Sequence, residues 1–310
     1  MRFALVFPGQ GSQSVAMMNA YGEHPVLRAC FDEASEALGR DLWSLAAEGP
    51  VEAQNQTINT QPLMLTAGVA VWRLWREKGG GLPQMVAGHS LGEYTALVVA
   101  GVLTLRDAVP LVEFRAKAMQ EAVPAGTGAM AAILGLDAER IKGICAEAAE
   151  GQVVEAVNFN APEQTVIAGD QAAVARAAEA CKGAGAKRAV MLPVSAPFHC
   201  ALMRPAAERL GERLSSVELH APTIPVLNNV DVAFVSDPAM IREALVRQAA
   251  SPVRWVETMR AMQQEGVTQI YECGPGKVLA GLVKRCAEGV AGTALADLAA
   301  LEAAVTTTKG

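Results

Sequence analysis

Aromatic side chains are scarce in this chain: 7 Phe, 4 Trp and 3 Tyr make 5% of 310 residues, while 51% of the chain is apolar. The core must therefore be aliphatic and rich in alanine, a composition that fits a soluble α/β protein. Basic charge is also in deficit. With 26 Lys and Arg against 32 Asp and Glu, the net charge is −6. That argues against a nucleic-acid binder, which shows a basic excess, and leaves room only for a local basic patch facing an acidic partner. Long hydrophobic runs are missing too. The longest, Tyr94–Leu105, contains Gly101 and stops at Arg106-Asp107, too short to span a bilayer. Met1–Phe7 runs straight into Pro8-Gly9 without the charged region and cleavage site of a secretory signal, so none is expected. The six cysteines are scattered, with no Cys-x-x-Cys and no His/Cys metal spacing. They are expected to be reduced core thiols in a cytoplasmic protein, with no metal site.

What the chain does have is Gly88-His89-Ser90-Leu91-Gly92, a Gly-x-Ser-x-Gly motif. It follows the apolar run Met85-Val86-Ala87 and precedes the small-apolar segment Tyr94–Leu105. This is the strand–turn–helix context of a nucleophile elbow. The glycines allow a sharp turn that projects the serine hydroxyl. The Leu91 N–H then lies at a helix N-terminus, where an oxyanion can bind.

At this length one large or two modest domains are expected. Residues 2–7 and 85–89 read as strands, and 24–48, 61–78 and 91–102 as helical. Thr104 can cap a further helix, with Asp107 as its capping-box acid. Pro110 either kinks that helix or marks a later start. After Pro124-Ala125-Gly126 the order becomes strand 127–136, helix 138–150, strands 153–159 and 164–168, helix 171–183 and strand 187–194. This is β-α-β-β-α-β, the ferredoxin-like pattern. The expected organisation is a large α/β domain over 1–125 and 197–310 with a small domain, 126–196, inserted. In the large domain 201–214, 238–250 and 277–286 read as helices, 224–227 and 269–272 as strands, and 306–310 as a frayed end.

A seryl nucleophile needs a base, and only four histidines exist. His89 adjoins Ser90 on a tight turn, points away from it, and reads as a packing residue. His24 and His220 lie in polar, proline-flanked segments and read as surface. His199 sits where the inserted domain returns to the large one, a natural place for a site residue; base and structural histidine both stay open. Asp107, Asp137 and Asp170 lie between Ser90 and His199, but each sits at a helix start, where capping explains it. Arg115 shares a helical face with Leu111, Ala118 and Met119; a buried arginine wants an anionic partner. The loops Pro8–Gln13 and Gly274-Pro275-Gly276-Lys277 fit neither the dinucleotide nor the P-loop pattern.

Together these pieces resemble the malonyl-CoA:acyl carrier protein transacylase family. The resemblance covers nearly the whole chain. It is carried by Phe7-Pro8-Gly9-Gln10-Gly11-Ser12-Gln13, Gly88–Glu93, Arg115 before Met119-Gln120, and Asn158-Phe159-Asn160. Pro197-Phe198-His199, Asn228-Asn229-Val230-Asp231, Gln248 before Pro252-Val253, and Gly274-Pro275-Gly276 add to it. It implies a hydrolase-like α/β domain with a parallel sheet carrying a ferredoxin-like lobe. It implies Ser90 as nucleophile, His199 as base, and Arg115 as the grip on a malonyl carboxylate. Backbone amides of Gln10 and Leu91 would form the oxyanion hole, and the Gln248 carbonyl would orient His199 in place of a triad acid. Pro110 is unusual for the helix that carries Arg115. The implied activity moves malonyl from malonyl-CoA to the pantetheine thiol of acyl carrier protein, in fatty acid biosynthesis, with no cofactor. Lys187-Arg188 and Lys284-Arg285 are candidate contacts for the acidic carrier. A serine esterase or thioesterase, a polyketide-pathway acyltransferase, and a binding module with an idle site stand as the alternatives.

Overall fold

The structure is a computed structural model that describes residues 2–194 and 196–309. Ser195, at the start of the junction before His199, thus lies outside the described residues, as do Met1 and Gly310. The chain opens with β1 (Phe3–Phe7), buried along its whole length, and β2 (Met85–Gly88), equally buried. It then lays down β3 (Gly128–Leu134), β4 (Val154–Ala161), β5 (Gln164–Asp170) and β6 (Arg188–Met191) as a separate sheet. It returns to add β7 (Val226–Leu227), β8 (Gln269–Glu272) and β9 (Ala291–Ala294) to the first.

The first sheet has the order β7-β2-β1-β8-β9, and every pairing in it is parallel. Central strands of such a sheet are covered on both faces, which is why Phe3–Phe7 is apolar without alternation. The second sheet has the order β4-β5-β3-β6, all antiparallel. The helices Ala138–Ala148 and Gln171–Gly183 pack on it through Ile144, Val174 and Cys181. Fold class therefore matches expectation: a hydrolase-like α/β domain with a ferredoxin-like βαββαβ lobe. The lobe is stitched to the large domain beside β4, where Phe159 N–H donates to Val253 O (3.0 Å) and Val253 N–H to Val157 O (2.8 Å).

Register places the site. Phe7 pairs with Gly88, so β1 and β2 end level and the loops that follow them are neighbours at the carboxyl edge of the sheet. Ligands of open α/β sheets bind at this edge.

Several boundaries differ from the sequence reading. The helix Leu105–Glu121 begins directly after Thr104, whose Oγ1 accepts from Asp107 N–H at 3.1 Å, and runs on through Pro110. Pro110 is therefore not its start. The carbonyl that loses a partner there belongs to Arg106, an exposed residue. Residues 201–214 divide into a short 3-10 turn, Ala201–Met203, and a helix, Arg204–Ser215, with proline in its first turn. The tail is not frayed through 306–308. A helix Leu298–Thr308 buries Leu301, Ala304 and Val305, and Thr307 Oγ1 lies 3.0 Å from Tyr271 Oη. The helix Trp255–Gln264 and strand β9 have no counterpart in the sequence reading. Among the described residues no helix is long and apolar enough to cross a membrane.

Candidate active site

Ser90 ends the turn after β2 with φ at +53°. That left-handed conformation is uncommon for a residue with a side chain, and it marks sites where the surroundings impose it. The surroundings are backbone. A Cβ on Gly88 would lie 1.8 Å from the carbonyl of Gly92, and one on Gly92 would lie 2.1 Å from Phe7 O. The motif needs its two glycines because the turn is folded that tightly on itself at Gly88 and against β1 at Gly92. Asn229, just beyond β7, clamps the turn from outside. Its Oδ1 accepts from Ser90 N–H at 2.8 Å, and its Nδ2 donates to Gly88 O at 2.7 Å.

His199 arrives from the lobe junction, is almost fully buried, and also has positive φ, +68°. Its Nε2 lies 2.7 Å from Ser90 Oγ, and its Nδ1 lies 2.9 Å from the backbone carbonyl of Gln248. A carbonyl can only accept, so Nδ1 carries the proton and Nε2 presents a lone pair to the serine hydroxyl. Burial, reinforced by the Arg115 charge, pushes the imidazole down to about 3. It is a neutral base at physiological pH.

Arg115 projects from the buried face of the helix Leu105–Glu121, as its periodicity suggests, and is 2% exposed. Its Nη1 donates to Gln61 Oε1 (2.8 Å), and its Nη2 donates to Gln248 Oε1 (3.0 Å) and Ser90 Oγ (3.3 Å). All three partners are neutral oxygens. A desolvated guanidinium without a carboxylate at its fork is an anion-binding group.

Gln10 and Leu91 both line the cleft. The loop after β1 lies so close to the elbow that a Cβ on Gly9 would fall 2.6 Å from His89 O and 3.7 Å from Leu91 N. Leu91 is the N-terminal cap of the helix Gly92–Val99, so that helix starts directly after the serine. The opposite wall is apolar, with Met130, Leu192, Val194 and Phe198 from the lobe and the junction. The cleft encloses about 590 Å³, part of it open to solvent.

The remaining candidates are structural. His89 bonds Asn160 Oδ1 through Nε2 at 2.7 Å and packs on Trp255 at 5.3 Å between ring centres, although its edge also reaches the cleft. His24 is half-buried at the cap of a helix, and His220 is exposed. Asp137 caps its helix through Arg140 N–H. Thr104 caps its helix through Asp107 N–H, and the Asp107 carboxylate accepts from the Thr104 hydroxyl and not from the Thr104 backbone N–H that a capping box would use. Asp170 departs from the capping expectation: its carboxylate accepts from Val153 N–H at 2.7 Å and leaves its own helix uncapped. All six cysteines are unbridged and buried, and no group of His, Cys, Asp or Glu among the described residues could hold a metal ion.

Three polar residues of the site have no role in the sequence reading: Gln61, Asn229 and Glu93. Glu93 and Asn229 fall inside motifs but carry no local sign of their contacts. Gln61 is one glutamine in a 21-residue helix, and only its burial, 2% exposed, singles it out.

A seryl hydroxyl on a strained elbow, held by a neutral imidazole and flanked by cleft-lining backbone, defines a serine-dependent acyl-transfer protein of the α/β type. Comparison with known proteins narrows this. The acyl transferase domain family matches residues 4–304. The malonyl CoA-acyl carrier protein transacylase of Salmonella typhimurium is 56% identical over 98% of this chain and 99% of its own. The crystal structure of an acyl-carrier-protein S-malonyltransferase from Burkholderia pseudomallei superposes with a TM-score of 0.97 at 58% identity, covering 99% of this chain and 100% of that one. A malonyl-transacylase solved in complex with a type II polyketide acyl-carrier protein gives a TM-score of 0.98 at 53% identity, with 99% and 100% coverage. The chain belongs to the acyl transferase domain family, and its relatives there are malonyl CoA-acyl carrier protein transacylases.

Proposed function

We infer that this chain moves a malonyl group from malonyl-CoA to the phosphopantetheine thiol of acyl carrier protein through a malonyl-serine intermediate. One observation carries the reading: the unmatched guanidinium of Arg115 lies in hydrogen-bond reach of the same Ser90 Oγ that His199 Nε2 contacts. A nucleophile and a carboxylate reader thus share one cleft, as an acyl group ending in a carboxylate requires.

In the proposed reaction Ser90 Oγ attacks the thioester carbonyl and gives its proton to His199 Nε2. The Gln248 carbonyl, accepting from Nδ1, holds the ring in the right tautomer. Negative charge on the carbonyl oxygen is met by the backbone amides of Gln10 and Leu91. Each such donor is worth about 3 kcal/mol of barrier. The C–S bond breaks, the imidazolium returns its proton to the CoA sulfur, and the malonyl ester stays on Ser90. The carrier thiol repeats the sequence in reverse, with His199 taking its proton. Arg115 pairs bidentately with the malonyl carboxylate throughout. No cofactor enters.

We place the reaction in fatty acid biosynthesis in the cytoplasm. Lys187, Arg188, Lys284 and Arg285 are all exposed and form the proposed basic rim for the acidic carrier. Lys187 lies 3.7 Å from Glu163, and Arg285 donates to Gln164 Oε1, so two of the four already have polar neighbours. Intact-mass measurement after mixing with malonyl-CoA tests the reading. A stable malonyl adduct is expected, absent in Ser90→Ala and discharged by holo acyl carrier protein. CoA release without an acceptor, at the rate seen with carrier, would make the chain a thioesterase instead.

A further inference from the structure

One buried ionisable group takes no part in this scheme. Glu93 stands in the first turn of the helix after the elbow and is 2% exposed. Its Oε2 accepts two hydrogen bonds, from Asn229 N–H at 2.8 Å and from Gln248 Nε2 at 3.2 Å. Each donor leads on to the chemistry. Asn229 is the clamp on Ser90 N–H and Gly88 O. Gln248 donates to Ser90 O from the same Nε2 (3.0 Å), receives Arg115 Nη2 on its Oε1, and supplies the carbonyl that meets His199 Nδ1.

The amide of Gln248 could in principle lie either way round. An ionised carboxylate accepts and never donates, so Glu93 draws the NH2 end toward itself and turns the oxygen end toward the guanidinium. One amide therefore separates a buried cation from a buried anion and is aligned by both. Removing the acceptor would leave Asn229 N–H and the Gln248 NH2 short of a partner, and would free the amide to flip.

We propose that Glu93 is a positioning residue for acyl transfer. Its carboxylate fixes the serine elbow through Asn229 and the orientation of Arg115 through Gln248. The proposal rests on the reading of Ser90, His199 and Arg115 given above. It implies that the anionic form is the competent one. Burial pushes the Glu93 carboxyl up to about 7, against the pull of its two hydrogen bonds and of Arg115 on the facing helix. The other ionisable groups around the site are shifted by their own surroundings. His199 is pushed down to about 3, burial lowers His89, and burial raises Tyr94 to about 12. Asp231, across the loop after β7, is held low by its bidentate pair with Arg247.

The test is the pH profile of kcat/KM for malonyl-CoA, measured with holo acyl carrier protein from pH 6 to 8. Wild type is expected to gain about tenfold across this window, the change in ionised fraction of one group centred near 7. Glu93→Gln keeps a carbonyl acceptor in the same place and loses the charge; its profile is expected to be flat within about twofold. Glu93→Ala, lacking any acceptor, is expected to lose about 100-fold at pH 8, in KM as well as kcat. A profile in Glu93→Gln that keeps the wild-type acid limb overturns the proposal, whatever its amplitude, because a merely structural role changes the amount of active protein and not the limb. A wild-type profile without the limb overturns it as well. If Glu93→Ala does not fold, the Glu93→Gln profile decides alone. Ser90→Ala separates the two levels: a malonyl adduct surviving in that variant sinks the seryl reading itself. An inert Ser90→Ala beside a Glu93→Gln with the wild-type acid limb sinks only the assignment of Glu93.

Discussion

Arg115→Ala is the perturbation that most directly probes substrate choice. The guanidinium is 2% exposed and makes its three hydrogen bonds to neutral oxygens, so its charge is free to meet an incoming carboxylate. Truncating one partner of a desolvated, hydrogen-bonded charge pair costs about 2–5 kcal/mol. At 1.4 kcal/mol per decade that is roughly 30- to 5,000-fold in kcat/KM for malonyl-CoA. Two side effects accompany the change. The Ser90 Oγ contact at 3.3 Å disappears, and the Gln61 and Gln248 oxygens lose a donor, at about 1–3 kcal/mol of stability each. Both act on any acyl group. Acetyl-CoA, with no carboxylate, feels them alone. The ratio of malonyl to acetyl kcat/KM therefore isolates the carboxylate term, and it should fall by the full 30- to 5,000-fold. Single-turnover release of CoA from each substrate measures it. Arg115→Lys, a point charge without the fork, should fall between. If malonyl and acetyl transfer drop by the same factor in Arg115→Ala, the guanidinium does not read the carboxylate and the reasoning fails.

Two further outcomes follow from packing and proton linkage. Gly88→Ala places a methyl 1.8 Å from backbone of Gly92 and should cost more than about 3 kcal/mol, whereas Gly143→Ala, in the helix Ala138–Ala148 with nothing within 4 Å, should gain up to about 1 kcal/mol; denaturant midpoints compare them. His199 and Glu93 should bend the stability curve in opposite directions. The His199 pKa falls from 6.5 to about 3 on folding, so its contribution is present above 6.5 and lost as pH falls toward 3. The Glu93 pKa rises from 4.5 to about 7, so its contribution is present below 4.5 and lost as pH rises through 7. Between 4.5 and 6.5 each slope is about 1.4 kcal/mol per pH unit, and they oppose. Relative to wild type, His199→Gln should gain stability on acidification through that window and Glu93→Gln should lose it; parallel unfolding curves for all three would refute the assignment.

The elbow is legible in the sequence because everything that makes it is local: an apolar strand, two glycines at fixed offsets and a helix, all within 85–99. The Thr104 cap and the βαββαβ order of the lobe are legible for the same reason. Arg115 can be placed on a buried face because the periodicity of a single helix carries that information. The partner of His199 has no such signature. It is a backbone carbonyl, which every residue possesses, delivered from 49 positions away by the end of a helix. The same holds for the Gln10 amide. Only the resemblance points to Gln10, whereas the elbow motif already places the Leu91 amide at a helix start. Strand β9, Ala-Gly-Thr-Ala with three exposed residues, lacks the apolar alternation that marks a strand. Asp170 misleads because an aspartate before a helix is an ordinary cap, and nothing local reveals that Val153 N–H competes for it.

The missing triad acid follows from the substrate. A carboxylate at His199 Nδ1 would strengthen the base. It would also stand within reach of Arg115, whose Nη2 bonds the side chain of the residue that supplies the carbonyl. At a separation of about 6 Å and an effective dielectric near 20, such a charge would repel a malonyl carboxylate by about 3 kcal/mol. A carbonyl fixes the same tautomer without adding charge. The cost is a weaker base, and a thioester is activated enough to accept one. Glu93 does supply an anion nearby, but on the far side of the Gln248 amide, where it orients the guanidinium without occupying the fork. The cleft therefore stays net cationic where the acyl carboxylate must sit, and the imidazole stays neutral where the proton must go.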